Sequence, residues 1–225
     1  MLVAAGHSVI GLTHSQANAT KVVKLGAEAV VADGLDASAV RVAITAARPE
    51  VVVHEMTDLK AASDLRNFDR AFAISNRLRT EGTDNLLAAA RDAGVRRFIA
   101  QSFCGWPYAR AGGPIKSELD PLDADPPKEL VRTLDAIRYL ESEVTRSSEP
   151  EGIVLRYGAF YGWDTGLFDG PMIEQVRRRL APVMGDGNGW WSFVHIDDAA
   201  AATALVIDRG KGRSEERRVG KECRL

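Results

Sequence analysis

The chain is 225 residues long, 45% hydrophobic and 27% charged, with a formal net charge of -2. This composition is globular rather than disordered, and the near-neutral balance gives no electrostatic case for nucleic acid or an anionic membrane. No apolar run reaches the roughly 18 residues of a membrane helix, the N-terminus lacks a signal-peptide layout, and Cys104 and Cys223 are too few for a disulfide framework or a metal site. A cytoplasmic domain with no metal is expected.

The opening MLVAAGH reads as the last turn of a helix stopped at Gly6, and SVIGLTH as the strand after it. A domain rarely begins on a closing turn, so the chain is expected to be a piece whose first strand precedes residue 1. QANATKVVKLG is a helix closed by Gly26, AEAVVADG a strand, and DASAVRVAITAAR a helix with Asp36 as its N-cap. EVVVHEM is a continuous apolar run, as in a strand covered on both faces. A long helix is predicted over about 67–93, with Phe68, Phe72, Leu78, Leu86 and Ala90 near helical spacing. Gly82 inside it marks either a close backbone approach or a tolerated surface glycine.

RRFIAQS is a strand ending at Ser102, and residues 103–127 read as a long loop rich in breakers. Then come the helix ELVRTLDAIRYLESEVT, the strand GIVLRYG, the helix PMIEQVRRRL, the strand WWSFVHI and a helix capped by Asp197 or Asp198. Trp190 and Trp191 either wall a pocket or seal the core. Repeated strand–helix units imply a doubly wound α/β fold, a parallel sheet with helices on both faces. The tail RSEERRVGKECRL, residues 213–225, is similar to the translation of a sequencing-adapter oligonucleotide. It is expected to be a scar, leaving residues 1–212 as the domain; a real basic tail is the alternative.

Three strings in order, TEGTDNLLAAARDAGVRRFIAQS, LRYGAFYG and FVHIDDAAAA, resemble the extended short-chain dehydrogenase/reductase superfamily, in its NAD-dependent epimerase/dehydratase group. The resemblance implies a Rossmann-like NAD(P)-binding domain. It also implies a first strand and a Gly-x-x-Gly-x-x-Gly turn before residue 1, with that strand lying between SVIGLT and VVVHEM. After residue 212 it implies more of a small substrate-binding region.

Residue by residue, the resemblance places Thr13, His14 and Ser15 where an acid meets the adenosine ribose in NAD users. With no acid there, the cofactor reading leans to NADP; His14 as a solvated loop histidine is the competing view. Asp33 matches a position touching adenine, against a plain loop aspartate. His54 matches a position lining the cofactor cleft, against a core histidine, and Arg156 is grouped with the cofactor contacts on its strand motif. The family's Tyr and Lys, four residues apart, fall on Thr133 and Ile137, so the proton-exchanging dyad is absent. Ser102, Tyr108 and Tyr139 are the remaining catalytic candidates. Tyr139 competes with a half-buried helix aromatic, and Tyr108 with packing or substrate binding.

The leading reading is an NAD(P)-dependent oxidoreductase acting on a small carbonyl, alcohol or nucleotide-sugar substrate. The alternatives are a non-catalytic NAD(P)-binding sensor and a truncated product without function, aggregation-prone through exposed strand edges. The two long helices, about 67–93 and 129–146, would form a homodimer interface by the same resemblance.

Overall fold

A computed structural model describes residues 1–59, 68–163, 165, 171–180, 187 and 189–209. Asn67 and the expected scar at 213–225 lie outside the described residues. The order is β1 (Ile10–Thr13), α1 (Gln16–Lys24), β2 (Glu28–Val31), α2 (Ala37–Ala47), β3 (Val51–His54), α3 (Phe68–Ala71), α4 (Ala73–Arg77), a π turn (Leu78–Gly82) and α5 (Thr83–Asp92). Then follow β4 (Arg97–Phe103), α6 (Val131–Arg146), β5 (Glu151–Tyr157), β6 (Ala159–Tyr161), α7 (Pro171–Arg177), β7 (Phe193–His195) and α8 (Ile196–Asp208).

All strand ladders run parallel: β1 with β2, β3 with β4 and β4 with β5, β6 with β7. This is the doubly wound α/β fold that the alternation predicts. The two faces of β3–β4–β5 follow from the two-residue period of a strand. Val52, Phe98 and Ala100 pack with Val40, Ile44, Leu86, Ala90, Leu140 and Val144 from α2, α5 and α6. Ile99, Leu155 and Tyr157 pack with Ala199, Ala202 and Val206 from α8 on the other face. Among the described residues no backbone pairing joins β1 to β3. A cavity of about 690 Å³ separates them, with Ile10, Leu12, Ile44, Val51, Val53 and Ile207 in its walls. The sequence reading sets a strand here, and the described residues supply none.

Local chemistry fixes the ends of the elements. Gly6 and Gly26 take φ of +90° and +84°, the left-handed conformation that stops a helix. The turn before Gly6 is one 3₁₀ turn, Val3–Ala5. The Asp36 carboxylate accepts from the Ser38 and Ala39 N–H groups, the expected cap of α2. The cap of α8 differs from expectation: His195 Nδ1 accepts from Asp197 N–H, while Asp197 and Asp198 occupy the first turn. At the far end of α8, the Arg97 guanidinium donates to the Val206, Ile207 and Arg209 carbonyls, and it pairs with Glu151 at 2.6 Å.

Two other expectations change. The long helix is segmented, because a π turn inserts an extra residue at Leu78–Gly82. Gly82 is buried there, and a β-carbon on it would stand 3.0 Å from Met56 Cε, so the close-approach reading holds. Trp190 and Trp191 are 76% and 44% exposed, so neither seals the core. β6, Ala159–Tyr161, is a strand to which the sequence reading assigns no element.

Helix α6 has no cap of its own, since Leu130 offers no side-chain acceptor. Asp69 of α3 fills that role from 64 positions away. Its carboxylate accepts from Arg132 N–H at 3.0 Å, Thr133 N–H at 2.9 Å and Thr133 Oγ1–H at 2.7 Å. Asp69→Ala is therefore expected to lower the unfolding free energy by about 1–2 kcal/mol, as for loss of a helix cap. Breaking the exposed Arg41–Asp92 pair with Asp92→Ala should change it by under about 1 kcal/mol. Urea unfolding followed by circular dichroism compares the two.

Candidate functional site

Parallel strands bring their carboxyl ends to one edge, and the residues that follow them form the rim of a cleft. Thr13, His14 and Ser15 follow β1, Asp33 follows β2, His54 ends β3, and Ser102 lies near the end of β4. Strand parity decides which way each points. Ser102 shares the face of Phe98 and Ala100 and so meets α6; Arg156 of β5, its register partner, does the same.

Between Ser102 and Arg156 stands a residue the sequence reading missed. Glu141 of α6 is 8% exposed. It accepts from Ser102 Oγ at 2.6 Å and from Arg156 Nε and Nη2 at 2.8 and 2.6 Å. The bidentate pair is the geometry that best neutralises a carboxylate in the interior. Arg156 also donates through Nη1 to Tyr108 Oη at 3.4 Å and to the Glu118 carbonyl at 3.3 Å. Its guanidinium lies 5.5 Å from the centre of the Tyr108 ring. Arg156 thus ties the loop that follows β4 to the strand ends, where Tyr108 makes an isolated bridge with Leu122. Cys104, just past β4, has its thiol pushed up by burial, with a Ser192 hydrogen bond opposing.

His54 is 2% exposed. Its Nε2 lies 3.1 Å from Thr83 Oγ1, and its Nδ1 accepts from Met56 N–H at 3.3 Å. Thr83 donates its own proton to the Arg79 carbonyl at 2.7 Å. Its oxygen is therefore the acceptor for His54, which fixes the ring as the neutral Nε2–H tautomer. Burial lowers the His54 pKa to about 4, with a hydrogen bond to Leu78 opposing and the Arg79 charge adding to the drop. Glu55, next in sequence and on the opposite face, has its carboxyl raised by burial.

Thr133 and Ile137, set by the resemblance at the dyad positions, are each 1% exposed. The Thr133 hydroxyl donates to Asp69 and accepts from Asn76 Nδ2 at 3.0 Å, so it is occupied on both sides. Tyr139 is not brought to this cleft. It is 37% exposed, on the face of α6 opposite Ile137 and Glu141, and donates to Asp84 at 2.9 Å. That hydrogen bond raises its pKa, the reverse of what a proton donor at neutral pH needs. Among the described residues no group of three His, Cys, Asp or Glu side chains is placed to hold a metal.

The fold and the rim define a doubly wound protein of the dinucleotide-binding type. The chain belongs to the NAD dependent epimerase/dehydratase family, whose profile it matches over residues 1–219. It is 42% identical over 207 residues to a 3-diazoavenalumate denitrifying reductase of Streptomyces sp, covering 91% of this chain and 66% of that protein. It spans only 51% of a second curated relative, from Sinorhizobium fredii, at 26% identity. Among solved structures it is similar to the dTDP-glucose 4,6-dehydratase DesIV of Streptomyces venezuelae, with TM-score 0.73 and 20% identity, covering 94% of this chain and 68% of that one. It is also similar to the UDP-glucose 4-epimerase of Thermus thermophilus, with TM-score 0.68 and 23% identity, covering 94% and 70%. At these identities the structural likenesses speak for the fold.

The donor set fits a dinucleotide in part. Asp33 accepts from Leu35 N–H through Oδ1 at 2.9 Å, and its Oδ2 accepts nothing among the described residues. Ser15 is engaged as the cap of α1, accepting from Asn18 N–H, whereas Thr13 and His14 carry no carboxylate toward a ribose. No Gly-x-x-Gly-x-x-Gly turn for a pyrophosphate stands in the 225 residues.

Two outcomes follow from this geometry. The His54 pKa is lower in the folded chain than in the unfolded one, so between pH 6.5 and 4 the unfolded state binds the extra proton. About 3 kcal/mol of stability, present above pH 6.5, is lost as pH falls through that window. His54→Gln should remove this part of the slope in denaturant unfolding run from pH 7.5 to 4. Glu141→Leu strands the Arg156 charge and should cost about 3–5 kcal/mol. Glu141→Leu with Arg156→Met should cost clearly less than the two single changes added together, in the same unfolding measurement.

Proposed function

We propose that the chain carries the core of an NAD(P)-dependent reductase whose reaction needs no proton donor from the protein. The observation that supports this most directly is the state of Thr133 and Ile137. One is a hydroxyl held on both sides, and the other is a buried hydrocarbon. Neither delivers a proton to a developing alkoxide, as reduction of a ketone or oxidation of a sugar alcohol requires.

A substrate with a good leaving group has no such need, and the diazo compound named for the Streptomyces relative is of that kind. For an arenediazonium ion the balance closes without a proton. The hydride pair forms the new C–H bond, the C–N bond breaks, and its pair leaves with dinitrogen. A reduced nicotinamide, when bound, supplies the hydride. The protein's part is to bind, orient and exclude water. Asp33 would accept from the adenine amino group, and the acid-free end of β1 favours NADP over NAD. Ser102, Tyr108 and Arg156 would shape the floor and loop over the reacting carbon. His54, neutral and locked, holds the segment after β3 in place. A homodimer through α6 and the helical run 68–92 would leave this cleft free, and Ile74 and Val131 are exposed apolar residues on those helices.

The test is turnover of 4-carboxybenzenediazonium with NADPH, measured against the enzyme-free rate. The expected result is NADPH oxidation with benzoate and dinitrogen in equal amounts. NADH should be at least tenfold less effective, and simple ketones and UDP-glucose inert. Comparable rates on the ketones would refute the reading. Binding of NADPH with no acceptor reduced would favour the non-catalytic sensor instead.

A further inference from the structure

Arg156 and Arg79, both half-buried, are treated differently by the fold. Arg156 is matched by Glu141, Tyr108 and a carbonyl. Arg79, on the π turn, has five N–H donors. Its one side-chain acceptor among the described residues is Asn76 Oδ1, at 3.3 Å. Burial lowers its pKa to about 10, and its charge is felt by His54. The neighbours four residues away on either side are committed to the end of β3 and the segment after it. Ser75 donates to the Asp58 carbonyl at 2.6 Å and accepts from Asp58 N–H at 2.9 Å, while Thr83 meets His54. Arg79, between them, has no such partner.

A chain of hydrogen bonds leads from Arg79 to a carboxylate through neutral groups. Arg79 donates to Asn76, Asn76 donates to Thr133, and Thr133 donates to Asp69. Asp69 is already engaged by three donors at the start of α6. A half-buried guanidinium without an adjacent anion is destabilising to the fold, and its planar fork suits a carboxylate held by two parallel N–H bonds. We propose that Arg79 is an anion-binding residue on the π turn beside Asn76, taking the carboxylate of a small aryl carboxylic acid. The proposal rests on the preceding reading only in treating that acid as the substrate.

The probe is benzoate, with benzamide and inorganic phosphate as comparisons, in calorimetric titration and thermal unfolding of the chain. The expected result is saturable benzoate binding, with benzamide and phosphate at least tenfold weaker. Arg79→Met should lose benzoate binding at least tenfold while unfolding at the same temperature as the parent or higher, because it removes an uncompensated charge. Arg79→Lys should keep part of the binding, since it keeps charge and loses the fork. The proposal is overturned if Arg79→Met binds benzoate like the parent, if benzamide or phosphate equals benzoate, or if Arg79→Met unfolds several degrees lower. None of these readouts uses a cofactor or turnover, so failure here leaves the proposed reaction standing, and the reverse holds too.

Discussion

A carboxylate lies in the interface between a helix and a parallel sheet, and the cleft end of the fold is arranged around its neutralisation. Glu141 stands on the buried stripe of α6 that also carries Leu134, Ile137, Leu140 and Val144. An ion there is tolerable only with full hydrogen bonding. Arg156 supplies it with two bonds and Ser102 with a third. Both donors must sit on the α6 face of adjacent strands at matched register, which is where β4 and β5 set them. Because Arg156 then reaches on to Tyr108 and Glu118, the same ion pair sets the path of the loop over the cleft.

What was legible in the sequence divides along the range of the forces involved. The cap at Asp36, the left-handed stops at Gly6 and Gly26, and the strands of β3, β4 and β5 are decided within a few residues, and they follow from local chemistry. β6 was not legible, because three residues between two glycines become a strand only by pairing with β7 some 30 positions later. The cap of α6 comes from 64 positions upstream and leaves no trace near Leu130. Glu141 had a signal that went unused. An acid at four-residue spacing from Ile137, on an otherwise apolar stripe, asks for a buried partner. Tyr139, two residues beyond Ile137, lies on the opposite side of the helix by the same periodicity.

At the two positions where the sequence resemblance sets the family's dyad, both side chains serve the packing of α6. Thr133 joins the helix cap, and Ile137 completes the apolar stripe. A proton-exchanging Tyr must be reachable by substrate and held near neutrality. Thr133 is neither: it is buried and saturated. The Thr133 hydroxyl thus stabilises the start of the helix, and it ties Asn76, on α4, into that junction.

That junction also explains why Arg156 and Arg79 diverge. Arg156 faces an acid one helix away, so its charge serves the fold and its replacement should be felt as instability. Among the described residues, the hydrogen bonds of Arg79 lead to an acid only through an amide and a hydroxyl, and that acid already accepts three bonds. Neutral relays polarise along a chain but do not cancel a charge. A cation held that way raises the free energy of the empty site and lowers that of a site filled by an anion. Arg79 stands on the π turn between Ser75 and Thr83, which fasten this helical run to Asp58 and His54.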